Sequence, residues 1–141
     1  MPNIYFFKNL IKKFLTAILT PINFSIQTGH FRSSLNQKAL TKDGKPLPWY
    51  TYPAIDFLVS RNFDSASVLE FGGGQSTAFW SIMAKTVLTF ETDSLWIKEI
   101  NKNTKSNENV EIIHAPSGIN QKKFVKGILA EREIKYDVII I

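Results

Sequence analysis

The sequence predicts an α/β fold, built on a doubly wound and mostly parallel sheet and preceded by N-terminal helices. Two observations predict it. Short apolar runs typical of buried strands alternate with helix-length stretches in the second half of the chain. Three consecutive glycines stand where the first of these runs passes into a helical stretch. Strands joined by helices need crossover connections, which place the strands parallel and the helices on both faces of the sheet.

The composition indicates a packed domain and excludes several kinds of site. The chain has 141 residues, of which 44% are apolar and 13% aromatic, too many for a disordered polypeptide. It has no cysteine, which excludes disulfides and thiolate chemistry. Only two histidines are present, and no group of His, Asp and Glu has ligand spacing, so we expect no metal site.

Positive charge is concentrated at the N-terminal end of the chain. Residues 1–45 hold seven of the seventeen Lys and Arg but a single acid, Asp43, which gives this segment a net charge of +6. A basic segment on a nearly neutral body points to an anionic surface as its partner, either lipid headgroups or nucleic acid. The alternative is ordinary solvated surface charge.

The first helix is predicted from the apolar residues between Ile4 and Leu19, which recur at three- and four-residue spacing with lysines between them. This spacing predicts an amphipathic helix that Pro21 ends. The lysines interrupt it too often for a bilayer span, which needs about 20 mostly apolar residues. We expect a cytoplasmic protein that contacts the inner membrane face through residues 4–19, and no nucleic-acid partner. The alternative is a helix that packs on the body of the protein or on another subunit in an oligomer.

One further helix is predicted before the sheet. Residues 27–48 are polar and show no period, so we interpret them as a connecting segment. Pro53 is well placed in the first turn of a helix that Asn62 ends. The predicted domains are therefore residues 1–47, the basic helix with its connection, and residues 48–141, the α/β body.

The α/β body is predicted to contain four strands and three helices. The strands are Val68–Phe71, Thr86–Glu91, Val110–Ile113 and Val138–Ile141, and the helices are 77–84, 94–105 and 120–133. Ser94 is the predicted cap of the second of these helices. The chain stops inside the apolar run of the fourth strand, so we expect a fragment whose reading frame continues past Ile141. A genuine stop codon at that point would contradict this expectation.

The loop from Gly72 to Gly74 is the candidate ligand site. Amides at the start of the following helix, at Gln75 and Ser76, are expected to face a ligand there, and glycine permits an approach that a Cβ would block. Glycines alone are a weak signal, because a tight turn between a strand and a helix has the same pattern.

Two glutamates make the assignment more specific. Glu70 lies at the end of the first strand, two residues before Gly72, and Glu91 ends the second strand, nineteen residues after it. These strand ends are adjacent in a doubly wound sheet, so we expect both carboxylates to face one pocket. Glu91 can accept hydrogen bonds from both hydroxyls of a ribose. Glu70 would repel the pyrophosphate of a dinucleotide, and it favours a ligand with a cationic group.

S-adenosylmethionine combines a ribose with an ammonium, a sulfonium and one carboxylate that helix amides can bind. The stretch V-L-E-F-G-G-G-Q-S-T, followed by V-L-T-F-E-T-D and Y-D-V-I-I-I, resembles the first half of class I, Rossmann-like S-adenosylmethionine-dependent methyltransferases. The resemblance covers roughly residues 50–141. The variant with Ser76 and Thr77 after the glycines is similar to bacterial methyltransferases of polysaccharide and natural-product modification.

The resemblance implies which residues hold the cofactor. Glu70, Gly72 and Gly74 form the first family motif, Glu91 is the ribose acid, and Thr92 with Asp93 lies beside the adenine. The full predicted cofactor-binding set is Glu70, Phe71, Gly72, Gly73, Gly74, Gln75, Ser76, Glu91, Thr92 and Ala115. Many family members have an acid after the third strand, where this chain has His114, Ala115 and Pro116. The adenine contact is then expected from backbone or from His114, which has the alternative of a solvent-facing loop position.

The methyl acceptor and the catalytic residues are not predicted. In the family that the chain resembles, the loop after the fourth strand positions the acceptor, and here it would begin beyond Ile141. Asp137 precedes that strand, so we expect it at the opposite end from the pocket. Two alternatives stay open: an NAD-dependent oxidoreductase, which shares Glu91 and the glycines, and a non-catalytic, membrane-associated protein with the same fold.

Overall fold

A computed structural model describes residues 4–105 and 107–141 of the chain. The chain divides into two compact units, Met1–Lys45 and Pro46–Ile141. The boundary predicted from the sequence, after residue 47, lies two residues beyond the division between these units. No helix in the described ranges combines the length and the apolar character needed to cross a membrane.

The N-terminal unit contains two helices, α1 (Ile4–Gln27) and α2 (His30–Asn36). The prediction that Pro21 ends the first helix was wrong, because Pro21 lies inside α1. A proline removes one backbone donor and crowds the preceding turn, yet helices continue past it where other interactions favour them. Here Ile22 and Ile26 extend the apolar spacing on the far side of Pro21.

The connecting segment predicted over residues 27–48 contains a short helix, α2, that the sequence analysis did not predict. Gly29 makes the turn between the helices with a φ of +82°, and a Cβ on it would lie 2.4 Å from the Leu40 carbonyl oxygen. The Leu40 amide donates a hydrogen bond of 2.9 Å to the Ser33 hydroxyl on α2. Contacts between residues seven or more positions apart therefore stabilise this helix. Such contacts leave no periodic pattern in the sequence.

The second unit begins with α3 (Tyr52–Val59), which has Pro53 in its first turn as predicted. It ends at Val59, three residues before the predicted stop at Asn62. Ile55 is its buried residue, and it packs into the core formed by the sheet and the following helix.

The rest of this unit is a four-stranded parallel sheet with its connecting helices, which confirms the predicted α/β, Rossmann-like fold. The strands are β1 (Ser67–Phe71), β2 (Thr86–Glu91), β3 (Val110–His114) and β4 (Val138–Ile140). The helices are α4 (Gln75–Met83), α5 (Ser94–Thr104) and α6 (Gln121–Arg132). The strand order is β3-β2-β1-β4, and every neighbouring pair is parallel. The direction of winding reverses between β1 and β4, where ligands of open α/β sheets bind.

Alternate residues of the strands pack on opposite faces of the sheet. Val68 and Val87 contact Phe79 and Trp80 of α4 on one face. Leu69, Leu88 and Phe90 form the second cluster, which is covered by apolar residues of α6. This division places Glu70, two positions after Val68, on the face that α4 covers.

Asp137 and the strand β4 that follows it lie at the border of the sheet. At the amino end, Asp137 Oδ2 accepts a hydrogen bond of 2.8 Å from the Ser67 amide, at the start of β1. Asp137 therefore lies opposite the candidate pocket, as predicted. Within the sheet β4 is an edge strand that pairs with β1, and its Ile139 side chain is 60% exposed.

Candidate functional site

The candidate site is built around the loop from Gly72 to Gly74, between the carboxyl end of β1 and α4. Gly72 has a φ of +85°, a conformation that glycine adopts without the strain a side chain brings, and its amide donates to the Phe90 carbonyl at 2.8 Å. Gly73 is required by packing, because a Cβ there would lie 2.6 Å from Ile100 Cδ1 of α5. The loop is thus held against both β2 and α5.

The outer side of the same loop is open. A Cβ at Gly72 or Gly74 would meet no atom within 4 Å. Gln75 and Ser76 form the first turn of α4, where backbone amides have no acceptor inside the helix. A ligand can therefore approach the loop backbone and the positive end of the helix dipole together.

Glu70 lies beneath the loop rather than in an open crevice. Its side chain is 0% exposed, and the expectation that it shares one ligand pocket with Glu91 stays a prediction. Its Oε2 atom accepts hydrogen bonds from Thr77 Oγ1 at 2.6 Å and from Thr89 Oγ1 at 2.9 Å. The Thr77 hydroxyl also accepts a bond of 2.9 Å from the Gly74 amide. Glu70 is therefore connected to the loop through Thr77, and its direct contact with a cofactor stays a prediction.

The environment of Glu70 makes its charged form costly. Burial raises the pKa of this carboxyl, and the nearby negative charge of Glu91 raises it further. The hydroxyls of Ser76, Thr77 and Thr89 lower the pKa but do not compensate for burial. The second oxygen, Oε1, is buried and has no hydrogen-bond partner among the described residues.

Glu91, at the end of β2, has backbone amides as its partners instead. Its Oε2 accepts from the Gly73 amide at 2.8 Å, and its Oε1 accepts from the Thr92 and Asp93 amides at 2.6 and 2.9 Å. Burial raises the pKa of Glu91, but these amides, with a weaker contribution from the Thr92 hydroxyl, more than offset it and lower the pKa below its usual range. Glu91 is therefore a carboxylate at neutral pH, attached directly to the glycine loop.

The end of β3 lies beside this carboxylate. The Ala115 amide donates to the Glu91 carbonyl at 2.8 Å, and Ala115 is buried. His114 Nε2 lies 3.0 Å from the Thr92 carbonyl, an arrangement in which this nitrogen donates. His114 is exposed, in agreement with the alternative that it faces solvent, and it also contacts the segment that follows β2.

Trp96 is a residue of this region that the sequence analysis missed. Its indole Nε1 donates to the Gly73 carbonyl at 2.8 Å, so α5 is hydrogen-bonded to the glycine loop from outside the sheet. Trp96 lies three residues after Asp93, and this helical spacing could have indicated which way its side chain points.

The prediction of Ser94 as the helix cap was wrong: Asp93 caps α5, because its carboxylate accepts from the Leu95 and Trp96 amides.

Thr89 was missed for a different reason. It lies in the middle of β2 within an otherwise apolar run, and the register of the sheet pairs it with Glu70. A single polar residue in a buried strand was the available signal, but its partner could be identified only from that register.

Phe71, which was predicted in the site, stacks on Phe90 with their ring centroids 5.7 Å apart. This stacking holds the end of β1 against β2.

All ten predicted cofactor-binding residues thus belong to β1, β2 and β3 or to the segments that follow their carboxyl ends. No family model and no curated protein matches the chain. Among the solved structures to which the chain is similar is a dimethyladenosine transferase from Plasmodium falciparum, with 23% identity and a TM-score of 0.43. The similarity covers 63% of this chain and 30% of that one, so the matched region spans less than a third of that protein.

Proposed function

We propose that the α/β unit binds S-adenosylmethionine and that the protein is a methyltransferase. The observation that carries the proposal is the hydrogen bond between the Gly73 amide and Glu91 Oε2. It holds an ionised carboxylate against a glycine loop at the ends of adjacent parallel strands, the position at which ligands of open α/β sheets bind. A ribose-containing ligand with its polar end at the loop fits this arrangement.

Glu91 is the group that would hold the ribose. A carboxylate oxygen has two lone pairs, and the Gly73 amide is the single donor to Oε2 among the described residues. Oε2 therefore keeps capacity for a hydroxyl donor. The bonds from Thr92 and Asp93 to Oε1 hold the carboxylate in place before the ligand arrives, which reduces the ordering cost of binding.

Glu70 supports a ligand with a cationic group over a dinucleotide. When ionised, it places negative charge directly beneath the loop, where the pyrophosphate of NAD would be repelled. The N-terminal turn of α4 can accept the ligand's carboxylate, while Glu70 stabilises a cation across the loop. When bound, S-adenosylmethionine supplies an electrophilic methyl group, and these residues would orient it and exclude water.

Calorimetric titration of the chain with S-adenosylmethionine, S-adenosylhomocysteine and NAD tests the proposal. We expect binding of the first two and none of NAD. Glu91→Ala should weaken S-adenosylmethionine binding about 100-fold, because two hydrogen bonds to a charged acceptor contribute about 1.5 kcal/mol each or more. Glu111→Ala is the matched control, since Glu111 lies near the start of β3, at the opposite end of the sheet from the loop. Its side chain is half exposed and pairs with Arg132.

The other outcomes separate the alternatives. Binding of NAD without S-adenosylmethionine would overturn the proposal in favour of an oxidoreductase. Binding of neither ligand would favour a non-catalytic protein with this fold. If S-adenosylmethionine binds, formation of S-adenosylhomocysteine with a panel of sugar, lipid, peptide and small-molecule acceptors identifies the substrate class.

A further inference from the structure

The helix α1 presents a continuous apolar surface to solvent. We define the apolar face of α1 by eight side chains, each between 44% and 65% exposed: Phe7, Leu10, Ile11, Phe14, Leu15, Ile18, Leu19 and Ile22. At about 100° per residue, they occupy about half of the helix circumference. Exposed apolar patches of this extent mark interaction surfaces rather than ordinary surface variation.

The charges around this face all have the same sign. Lys8 and Lys12 lie along one edge, and Lys13 lies on the polar side of the helix, about 60° beyond the other edge, at about 100° per residue. The opposite side of the helix carries polar residues, among them Thr16 and Thr20. The sequence has no Asp or Glu before Asp43. The helix therefore combines an apolar face with a rim that is purely cationic.

We propose that α1 binds to an anionic lipid surface, lying in its plane with the apolar face inserted among the acyl chains. Charge complementarity favours this partner. Lysine side chains at the rim can extend their ammonium groups to lipid phosphates while their stems stay in contact with apolar surface. Each lysine near an anionic surface adds to the attraction. A helix of 24 residues, about 36 Å long, covers several lipid headgroups.

A second copy of the chain fits the same face less well. Pairing two apolar faces would bury the edge that carries Lys8 and Lys12 of each copy, where α1 offers no acid to pair with them. A polyanion such as nucleic acid would use the lysines but would leave the apolar face in water. An anionic membrane satisfies both features at once, and the proposal does not depend on the function of the α/β unit.

Vesicle co-sedimentation of the full chain tests the proposal. The probes are vesicles of phosphatidylcholine alone and of phosphatidylcholine mixed with phosphatidylglycerol. We expect the mixed vesicles to bind the protein, with binding that weakens as salt is added. Replacing Lys8 and Lys12 with glutamine should lower the partition coefficient about fivefold for each lysine removed.

A pair of variants separates apolar insertion from simple charge attraction. Phe14→Glu and Thr16→Glu change the net charge equally, two residues apart on the same helix, and both positions are exposed. Phe14 belongs to the apolar face and Thr16 to the opposite side. We expect Phe14→Glu to lower partitioning at least tenfold more than Thr16→Glu, because it alone removes an inserted aromatic side chain. Circular dichroism with vesicles confirms that both variants keep the helix.

Three results would overturn the proposal. Equal losses in the two variants would mean that charge alone accounts for binding. Equal binding to neutral and mixed vesicles would mean that the lysines play no part. A dimer in lipid-free sedimentation experiments that Phe14→Glu converts to a monomer would assign the apolar face to a second copy of the chain.

Discussion

The carboxyl ends of β1 and β2 each carry a glutamate, and the two side chains have opposite environments. Glu70 is buried beneath the loop, where two threonine hydroxyls bond to one of its oxygens and the other oxygen has no partner among the described residues. Glu91 accepts from three backbone amides around the loop. The pKa is raised at Glu70 by burial and lowered at Glu91 by those amides.

The two environments correspond to two different roles for an acidic residue at the glycine loop. Glu91 is attached to the loop directly, so its carboxylate is available where a ligand's ribose would lie. Glu70 is hydrogen-bonded to Thr77, so it supports the loop from within the sheet. The register of the sheet points both side chains to the same face, but Glu91 lies two positions beyond Thr89, the residue that pairs with Glu70, and is therefore level with the loop.

The largest expected effect is the loss of stability in Glu70→Ala. This change leaves the Thr77 and Thr89 hydroxyls without an acceptor and opens a cavity, which should cost about 2–4 kcal/mol of unfolding free energy. Urea unfolding measures it. The matched variant Glu91→Ala should lose less stability and more affinity for S-adenosylmethionine. Equal stability losses in the two variants would remove the distinction between the carboxylates.

Glu70→Gln sharpens the same comparison, because it keeps an oxygen acceptor for the two threonines and removes the charge. We expect it to be more stable than Glu70→Ala and to bind S-adenosylmethionine more weakly than the unmodified chain. Unchanged affinity, with the fold intact, would indicate that the charge of Glu70 has no part in selecting the ligand.

The glycine loop should respond differently at two neighbouring positions. Gly73→Ala places a Cβ against Ile100 and Thr89 and should cost about 1–3 kcal/mol of stability. Gly74→Ala places its Cβ in open space and should leave stability nearly unchanged while weakening cofactor binding. Urea unfolding and calorimetric titration measure the two effects. If Gly74→Ala binds the cofactor normally, the ligand does not approach the loop at that point.

The two carboxylates should also give opposite dependences of stability on pH. Glu70, with a raised pKa, contributes stability that is present below about pH 4.5 and lost as the pH rises through its folded pKa. Glu91, with a lowered pKa, contributes stability that is present above about pH 4.5 and lost as the pH falls through its folded pKa. The unfolding free energy of the unmodified chain, less that of Glu70→Gln, should therefore fall as the pH rises. The same difference taken with Glu91→Gln should rise with pH. Slopes of the same sign would contradict the assigned environments.

The smallest effect is expected at Trp96, whose indole bonds the outside of the loop. Trp96→Phe removes the hydrogen bond to the Gly73 carbonyl at a half-exposed position, so we expect a loss of about 0.5 kcal/mol. Trp49→Phe is the control, since Trp49 is almost fully exposed. A loss in Trp96→Phe no larger than in the control would show that the loop is held from the sheet side alone.

Most of the α/β unit could be predicted from the sequence. The apolar runs predicted β1 to β4 to within a residue at each end, because the strands of a parallel sheet are rich in apolar residues. The cap of α5 was misassigned by one residue, since Asp93 and Ser94 are both good cap residues and only the geometry of the first turn distinguishes them. The segment containing α2 was missed because its fixed turn depends on Gly29 packing against Leu40.

The sequence by itself determined the order of strands and helices, the position of the glycine loop and the presence of an acid at two strand ends. These features depend on local periodicity and on the requirement that buried strands be apolar. The tertiary structure alone decided that Glu70 lies beneath the loop while Glu91 bonds to it, and that Thr89 and Trp96 complete their surroundings. Those choices depend on register across the sheet and on the packing of α4 and α5, which bring together residues about twenty positions apart.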